Sequence, residues 1–202
     1  MSTRRRAVFL DKDGTLVVDV PYNVDPERMV LAPGAATGAR ALHEAGYALI
    51  GVSNQSGVAR GLFLESALGE VEARLCALLA AAGAPLLDFL YCPHHPEGVV
   101  PRYSMACACR KPGPGMIERA STEHGIDLAR SWLVGDILDD VEAGRRAGCR
   151  TVLIDNGSET EWRKGPQREP DFIVADMSEA ALTIAVAAAA GTGLATEASV
   201  RG

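Results

Sequence analysis

The sequence lacks any long hydrophobic run. Its alanine-rich stretch at residues 180–190 falls well short of the roughly 18 consecutive apolar residues that a membrane span needs. At the other end, Arg4-Arg5-Arg6 is followed by only Ala7-Val8-Phe9-Leu10 before Asp11, too few for the about 7–15 apolar residues of a secretory h-region. A soluble, cytoplasmic protein with no membrane partner is expected. A basic surplus is also lacking. Twenty Lys and Arg against 26 Asp and Glu leave a net charge of −6, which argues against a nucleic-acid partner, and the arginine triplet reads as a solvated tail. Aromatics make up only 5% of a chain that is 48% apolar, so Ala, Val and Leu must build the core. There is no internal repeat, and the kinase phosphate-loop pattern Gly-x4-Gly-Lys-Ser/Thr is absent. The 202 residues suit one domain, expected over 1–190. The small, polar residues 191–202 read as a disordered tail.

What the chain does contain is short apolar runs alternating with amphipathic stretches. Strands are predicted at 7–10, 47–52, 86–91, 132–134, 151–154 and 172–174. Helices are predicted at 34–46, 64–82, 115–124, 139–147 and 178–189. The second helix shows the pattern plainly, with Leu64, Leu68, Val71, Leu75, Leu78 and Leu79 at helical spacing. Residues 92–114 have no regular pattern. Strands alternating with helices imply βα units, a parallel sheet and a Rossmann-like three-layer α/β sandwich. Such sheets bind ligands at the carboxyl ends of their strands, and the polar motifs fall there.

After the first strand comes Asp11-Lys12-Asp13-Gly14-Thr15. A phosphate monoester is anionic and resists attack. Cleaving it takes a nucleophile, a cation and an acid for the leaving oxygen. Asp11 can attack phosphorus while touching a magnesium ion, and Asp13 can protonate the leaving group and then activate water. Taken alone, the motif could equally be a turn or a piece of a calcium loop, but a calcium loop wants more oxygen ligands than the apolar Leu16-Val17-Val18 provides. Ser53-Asn54-Gln55-Ser56-Gly57 follows the second strand and offers a hydroxyl and backbone N–H groups to phosphoryl oxygens. Arg110-Lys111-Pro112-Gly113 precedes a helix. Lys111 can neutralise phosphoryl charge, and Arg110 suits a second anionic group. Gly135-Asp136-Ile137-Leu138-Asp139-Asp140 follows the fourth strand. Asp136 suits Mg2+, Asp140 is placed to orient Lys111, and Asp139 reads as helix N-terminal charge.

The cysteines number five, an odd count that argues against a disulfide framework. Three of them join two histidines in Cys92-Pro93-His94-His95 and Cys107-Ala108-Cys109. Cys92, His94, Cys107 and Cys109 can close a tetrahedral Zn2+ site, with His95 as an alternative to His94. Four protein ligands leave no open position, so a structural zinc stiffening the 92–109 loop is expected. Cys76 and Cys149 read as small buried hydrophobes.

The four ordered motifs, spanning residues 7–154, resemble the haloacid dehalogenase superfamily. The resemblance implies Asp11 as nucleophile, Asp13 as general acid/base, Ser53 and Lys111 as phosphoryl stabilisers, and Mg2+ on the carboxylates of Asp11 and Asp136 and the backbone carbonyl of Asp13. The loop Cys-Pro-His-His-Pro followed by Cys-x-Cys-Arg-Lys-Pro-x-Pro-Gly-Met is similar to that of the heptose-1,7-bisphosphate phosphatases, whose relatives include histidinol-phosphate phosphatases. That likeness implies a small phosphorylated metabolite as substrate. The favoured reaction is removal of the 7-phosphate from a heptose bisphosphate, with histidinol phosphate as the alternative. It further implies substrate contacts from Asp19, Tyr22, Asn54, Gln55, Ser56 and Arg110. No segment is long enough for the large cap domain common in the superfamily, and a monomer is expected. Three positions depart from the family pattern. Val20-Pro21 stands where His-Gly is usual, and Ile137 stands where a lysine is common.

Overall fold

The computed structural model describes residues 4–198. Six strands form one parallel sheet: β1 (Ala7–Leu10), β2 (Ala48–Asn54), β3 (Asp88–Cys92), β4 (Trp132–Gly135), β5 (Arg150–Ile154) and β6 (Phe172–Val174), in the spatial order β3-β2-β1-β4-β5-β6. Parallel pairing holds throughout, with Val8 opposite both Leu49 and Trp132 in the central strands. Both faces of the sheet are covered. Val8 and Leu10 point to a core shared with α1 (Ala35–Glu44), α2 (Leu68–Ala81) and α5 (Met177–Ala198). Ala7 and Phe9 point the other way, onto α3 (Gly115–His124) and α4 (Leu138–Ala147). All four β1 residues are fully buried, which is why the strand reads as a continuous apolar run. This is the predicted three-layer α/β sandwich.

The small side chains have a packing role. Gly38 lies so close to the start of α5 that a Cβ there would come within 2.1 Å of the Met177 carbonyl, and α1 and α5 can approach closely only without it.

The strand order reverses between β1 and β4. In open α/β sheets the crevice for ligands opens beyond the carboxyl ends of the strands at such a switch point. Asp11 and Asp136 leave the sheet at that point.

Three details differ from expectation. The Arg4–Arg6 segment is not a free tail, because Arg5 exchanges backbone hydrogen bonds with the 125–127 turn at 3.0 and 2.8 Å, and the Arg6 guanidinium stacks 4.2 Å from the Tyr47 ring. Cys149 is buried as predicted, but Cys76 is half-buried. Helix α5 runs to Ala198, past the predicted start of a structureless tail at 191. The residues after Gly191 and Gly193 are mostly good helix formers, and two glycines at about 1 kcal/mol each do not end a helix already propagating along an alanine run. Residues 199–202 of that expected tail lie outside the described residues. Among the described residues no helix is long and apolar enough to cross a membrane.

Candidate active site

Asp11 continues the ladder past the end of β1, donating its backbone N–H to Val134 at 3.0 Å. The chain then turns sharply. Leu16 and Val17 both donate to the Lys12 carbonyl, at 3.0 and 2.9 Å, and Gly14 donates to Val17 at 2.8 Å. Gly14 sits at φ 81°, and a Cβ there would fall 1.8 Å from the Asp136 carboxylate. Glycine is required twice over, for the left-handed backbone and for the close approach.

Lys111 is the hub. It is buried, and its ammonium pairs with Asp11 and, at 2.6 Å, with Asp140, while also donating to the Val52 carbonyl at 3.2 Å. Burial opposes its charge, but Asp11 and Asp140 outweigh burial and raise its pKa. Lys111 therefore stays cationic where a phosphoryl group would arrive. Asp140 is fully buried and approaches Gly135 so closely that a Cβ there would clash with it at 2.3 Å.

Ser53 and Asp13 are joined by one amide. Gln55 Nε2 donates to Ser53 Oγ at 2.7 Å and to Asp13 Oδ2 at 3.2 Å, and the other Asp13 oxygen pairs with the buried Lys12. Because Ser53 Oγ accepts from Gln55, its own proton is left to donate to a ligand. Asn54 turns differently. Its amide donates to the Lys111 carbonyl and accepts from the Lys111 N–H, both at 3.0 Å. Asn54, predicted as a substrate contact, also fixes the backbone of the lysine. Asn54→Ala should cost about 1–3 kcal/mol, because it leaves the Lys111 N–H in a half-buried site without a partner. Chemical denaturation of the variant measures that cost.

Asp11, Asp136 and Asp140 offer carboxylate oxygens within 4.8 Å of one another, all buried. Lys111 neutralises only one of three negative charges. Burial, reinforced by the neighbouring carboxylates, outweighs Lys111 and holds the Asp11 carboxyl well above its usual range. Burial first, and then the Asp140 charge, push Asp136 up to about 6. A cluster of buried oxygen donors carrying excess negative charge suits a hard divalent cation. Lys111 pairs with one oxygen of Asp11 and one of Asp140, but the other Asp140 oxygen accepts from the Ile137 N–H at 3.3 Å, so Asp11 and Asp136 are the side chains left to hold it.

Beside this cluster is a cleft of about 280 Å3, walled by Asp19, Pro21, Tyr22 and Asn23 on one side and residues 54–57 on the other. Tyr22 holds a positive φ of 56°, a conformation that costs a non-glycine residue about 1–2 kcal/mol. Of the predicted substrate residues, Asp19, Tyr22, Asn54, Gln55 and Ser56 line the cleft. Arg110 lies outside that lining, its guanidinium 3.5 Å from the His94 carbonyl.

The Cys/His cluster closes as predicted. Cys109 Sγ lies 3.0 Å from Cys92 Sγ, 3.2 Å from Cys107 Sγ and 3.5 Å from His94 Nδ1, and Cys92 Sγ is 3.6 Å from the same nitrogen. Edges of about 3.5–3.8 Å are expected for a tetrahedron with about 2.0–2.3 Å zinc bonds; the His–Cys edges match, and the sulfur–sulfur edges are somewhat shorter. The donor set fits zinc. His95 is not the ligand, because its Nδ1 accepts from Glu97 N at 3.1 Å and its Nε2 faces Arg60 at 3.1 Å. Site residues that go unmarked in the sequence include Lys12, Asn156 and Glu159. Lys12 pairs with Asp13, Asn156 donates to the Gly14 carbonyl and Glu159 accepts from Leu138 N. Only Lys12, inside the Asp-x-Asp motif, carries a signal that could find it.

Comparison with known proteins agrees with this geometry. The HAD-hydrolase-like family model matches residues 108–180. The D-glycero-beta-D-manno-heptose-1,7-bisphosphate 7-phosphatase of Yersinia pestis is 41% identical over 152 residues, covering 75% of this chain and 81% of the relative. The D-glycero-alpha-D-manno-heptose-1,7-bisphosphate 7-phosphatase of Photorhabdus laumondii is 38% identical, covering 77% of this chain and 85% of its own. Among solved structures, D,D-heptose 1,7-bisphosphate phosphatase from B. bronchiseptica, complexed with magnesium and phosphate, matches with a TM-score of 0.76 at 31% identity, covering 89% of this chain and 97% of that one.

Proposed function

Since the chain belongs to the heptose-1,7-bisphosphate 7-phosphatase family of HAD-like hydrolases, we propose that it removes the 7-phosphate of D-glycero-D-manno-heptose 1,7-bisphosphate through a phosphoryl group carried on Asp11. The observation that carries this reading is the buried Lys111 ammonium held between Asp11 and Asp140 at the switch point of the sheet. It sets a fixed positive charge beside the carboxylate that directly follows β1.

In the first half-reaction a carboxylate oxygen of Asp11 attacks the 7-phosphorus. The bond from phosphorus to the sugar oxygen breaks, and Asp13 gives its proton to that oxygen, releasing heptose 1-phosphate. In the second, Asp13 takes a proton from water, whose oxygen attacks phosphorus. The Asp11–phosphorus bond breaks, inorganic phosphate leaves, and both carboxyl groups return to their starting states. Lys111 and the Ser53 hydroxyl oppose the charge on the phosphoryl oxygens throughout. Gln55 keeps Ser53 and Asp13 in register. Magnesium, when bound between Asp11 and Asp136, supplies further positive charge there. Cys92, His94, Cys107 and Cys109 would hold a structural zinc, which contributes rigidity and no step.

The cleft walled by Asp19 and Tyr22 suits the polyhydroxylated sugar, and Arg110, next to Lys111 in sequence, suits the remaining phosphate. A monomer acting in the cytoplasm completes the proposal. The test is kcat/KM for phosphate release, with Mg2+, from both anomers of the heptose bisphosphate and from histidinol phosphate. We expect one heptose anomer to be preferred at least about tenfold, a difference of about 1.4 kcal/mol in transition-state binding. Preference for histidinol phosphate would overturn the substrate assignment while keeping the chemistry.

A further inference from the structure

The loop that follows β5 contributes nothing to the reaction as described, yet it reaches into the site from outside at adjacent positions. Asn156 donates its side-chain N–H to the Gly14 carbonyl at 2.7 Å, across 142 residues of sequence. Glu159 accepts from the backbone N–H of Leu138, the first residue of α4, at 2.7 Å. The Ser158 side chain is near enough to Asp136 to favour its ionised form, and the backbone N–H of Ser158 donates to the Asn156 side-chain oxygen at 3.0 Å, which fixes the turn that aims these groups.

The points that the loop grips determine where the carboxylates sit. Gly14 touches Asp136 so closely that there is no room for a Cβ between them. Displacing the Gly14 peptide therefore displaces the Asp136 carboxylate. Leu138 lies two residues beyond Asp136 and starts the helix that carries Asp140. The turn after β1 and the turn after β4 are thus held from one side by the 156–159 segment. Within the β1 turn the backbone bonds are local, with Gly14 donating to Val17 and with Leu16 and Val17 donating to Lys12, and none of them reaches the β4 turn. Glu159 has a second effect, since its carboxylate lies at the N-terminus of α4, where negative charge is favoured.

From this arrangement we infer that Asn156 and Glu159 are positioning residues for the divalent cation. They fix the spacing of Asp11 and Asp136 without touching the ion or the sugar. The inference rests on the functional reading above, in which those two carboxylates hold Mg2+. Groups that orient metal ligands through hydrogen bonds typically change metal affinity or activity about 10–100-fold when removed. Asn156 is exposed and Glu159 half-buried, so the lower end of that range applies.

The experiment is calorimetric titration of Mg2+ into metal-free enzyme, for wild type, Asp136→Asn, Asn156→Ala, Glu159→Ala and Glu159→Gln, with melting temperatures and steady-state kinetics on the same samples. We expect Asn156→Ala and Glu159→Ala to weaken Mg2+ binding about tenfold, with KM for the sugar bisphosphate within about twofold of wild type. Glu159→Gln keeps an oxygen acceptor for Leu138 N and should recover most of the affinity. If both alanine variants bind Mg2+ as wild type does, or lose only melting temperature, the inference is overturned and the loop is merely structural. If wild type and Asp136→Asn bind Mg2+ equally, the cation assignment to Asp136 itself has failed, and the inference falls with it.

Discussion

Asp11→Asn should abolish phosphate release, by about four orders of magnitude or more in kcat, because no other group can carry the phosphoryl. What makes the experiment decisive is that the fold should not suffer. Asparagine has nearly the same shape, so the fully buried surroundings of residues 7–10 are undisturbed. The electrostatic change also favours the folded state. The folded Asp11 carboxyl titrates above its unfolded value, so ionised Asp11 destabilises the metal-free fold at every pH above the unfolded value, fully so once the pH exceeds the folded one. A neutral amide removes that cost, and Lys111 keeps Asp140 as its partner at 2.6 Å. In magnesium-free buffer the variant is expected to melt no lower than wild type. Melting temperature and phosphate release on one preparation check both halves. Appreciable turnover by a correctly folded variant would remove Asp11 from the chemistry. A large drop in melting temperature would mean that the loss of activity says nothing about a nucleophile.

The clarity with which Asp11 can be read from sequence has a physical origin. A parallel sheet brings its strand ends to one edge, so any polar residue just after an apolar run is a candidate on sequence alone. Asp11, Ser53 and Asp136 are legible in that way. Periodicity does not place Lys111 at all, since it lies in an irregular segment. It is legible only as part of a motif, and its partner Asp140 only as one helical turn beyond Asp136. The amides are harder still. Asn54 and Gln55 sit side by side in a turn that faces the ligand edge, and sequence offers no means of telling a residue that meets substrate from one that braces its neighbours. Asn54 pairs with a backbone 57 residues away, and that pairing follows from the packing of the 92–114 segment onto β2. His94 and His95 are likewise equivalent as letters. The structure separates them by their partners: His94 Nδ1 faces Cys92 and Cys109, whereas His95 is engaged by the Glu97 N–H and Arg60. Asn156 and Glu159 carry no signal, because their partners are backbone atoms and any residue type supplies those.

Cys109→Ser is the change expected to perturb the molecule most. Cys109 Sγ meets each of the other three donors between 3.0 and 3.5 Å, as Cys92 Sγ does between 3.0 and 3.6 Å. A serine hydroxyl is a poor zinc ligand and is too short to restore those contacts. Structural zinc contributes about 10–16 kcal/mol of apparent binding free energy in small zinc-dependent folds at neutral pH, more than the whole stability of most domains. Most of the core lies between β1, β2 and β4 and the helices on both faces, with Cys92, Cys107 and Cys109 packed against one side of it, so the expected result is a folded but weakened protein with a disordered 92–114 segment. Zinc content should fall from about one per chain toward zero, and melting temperature should drop by several degrees or more. Activity should fall as well, because Lys111 follows Cys109 by two residues and reaches Asp11 only if that segment keeps its path. The effect should appear in kcat through Lys111 and in KM through Arg110, which the same segment carries, while the cleft walls at Asp19, Tyr22 and 54–57 belong to other segments. Metal analysis together with steady-state kinetics separates the possibilities. Retained zinc would refute the ligand assignment. Lost zinc with undiminished kcat would show that Asn54, through its two hydrogen bonds to the Lys111 backbone, is sufficient to hold the lysine in place.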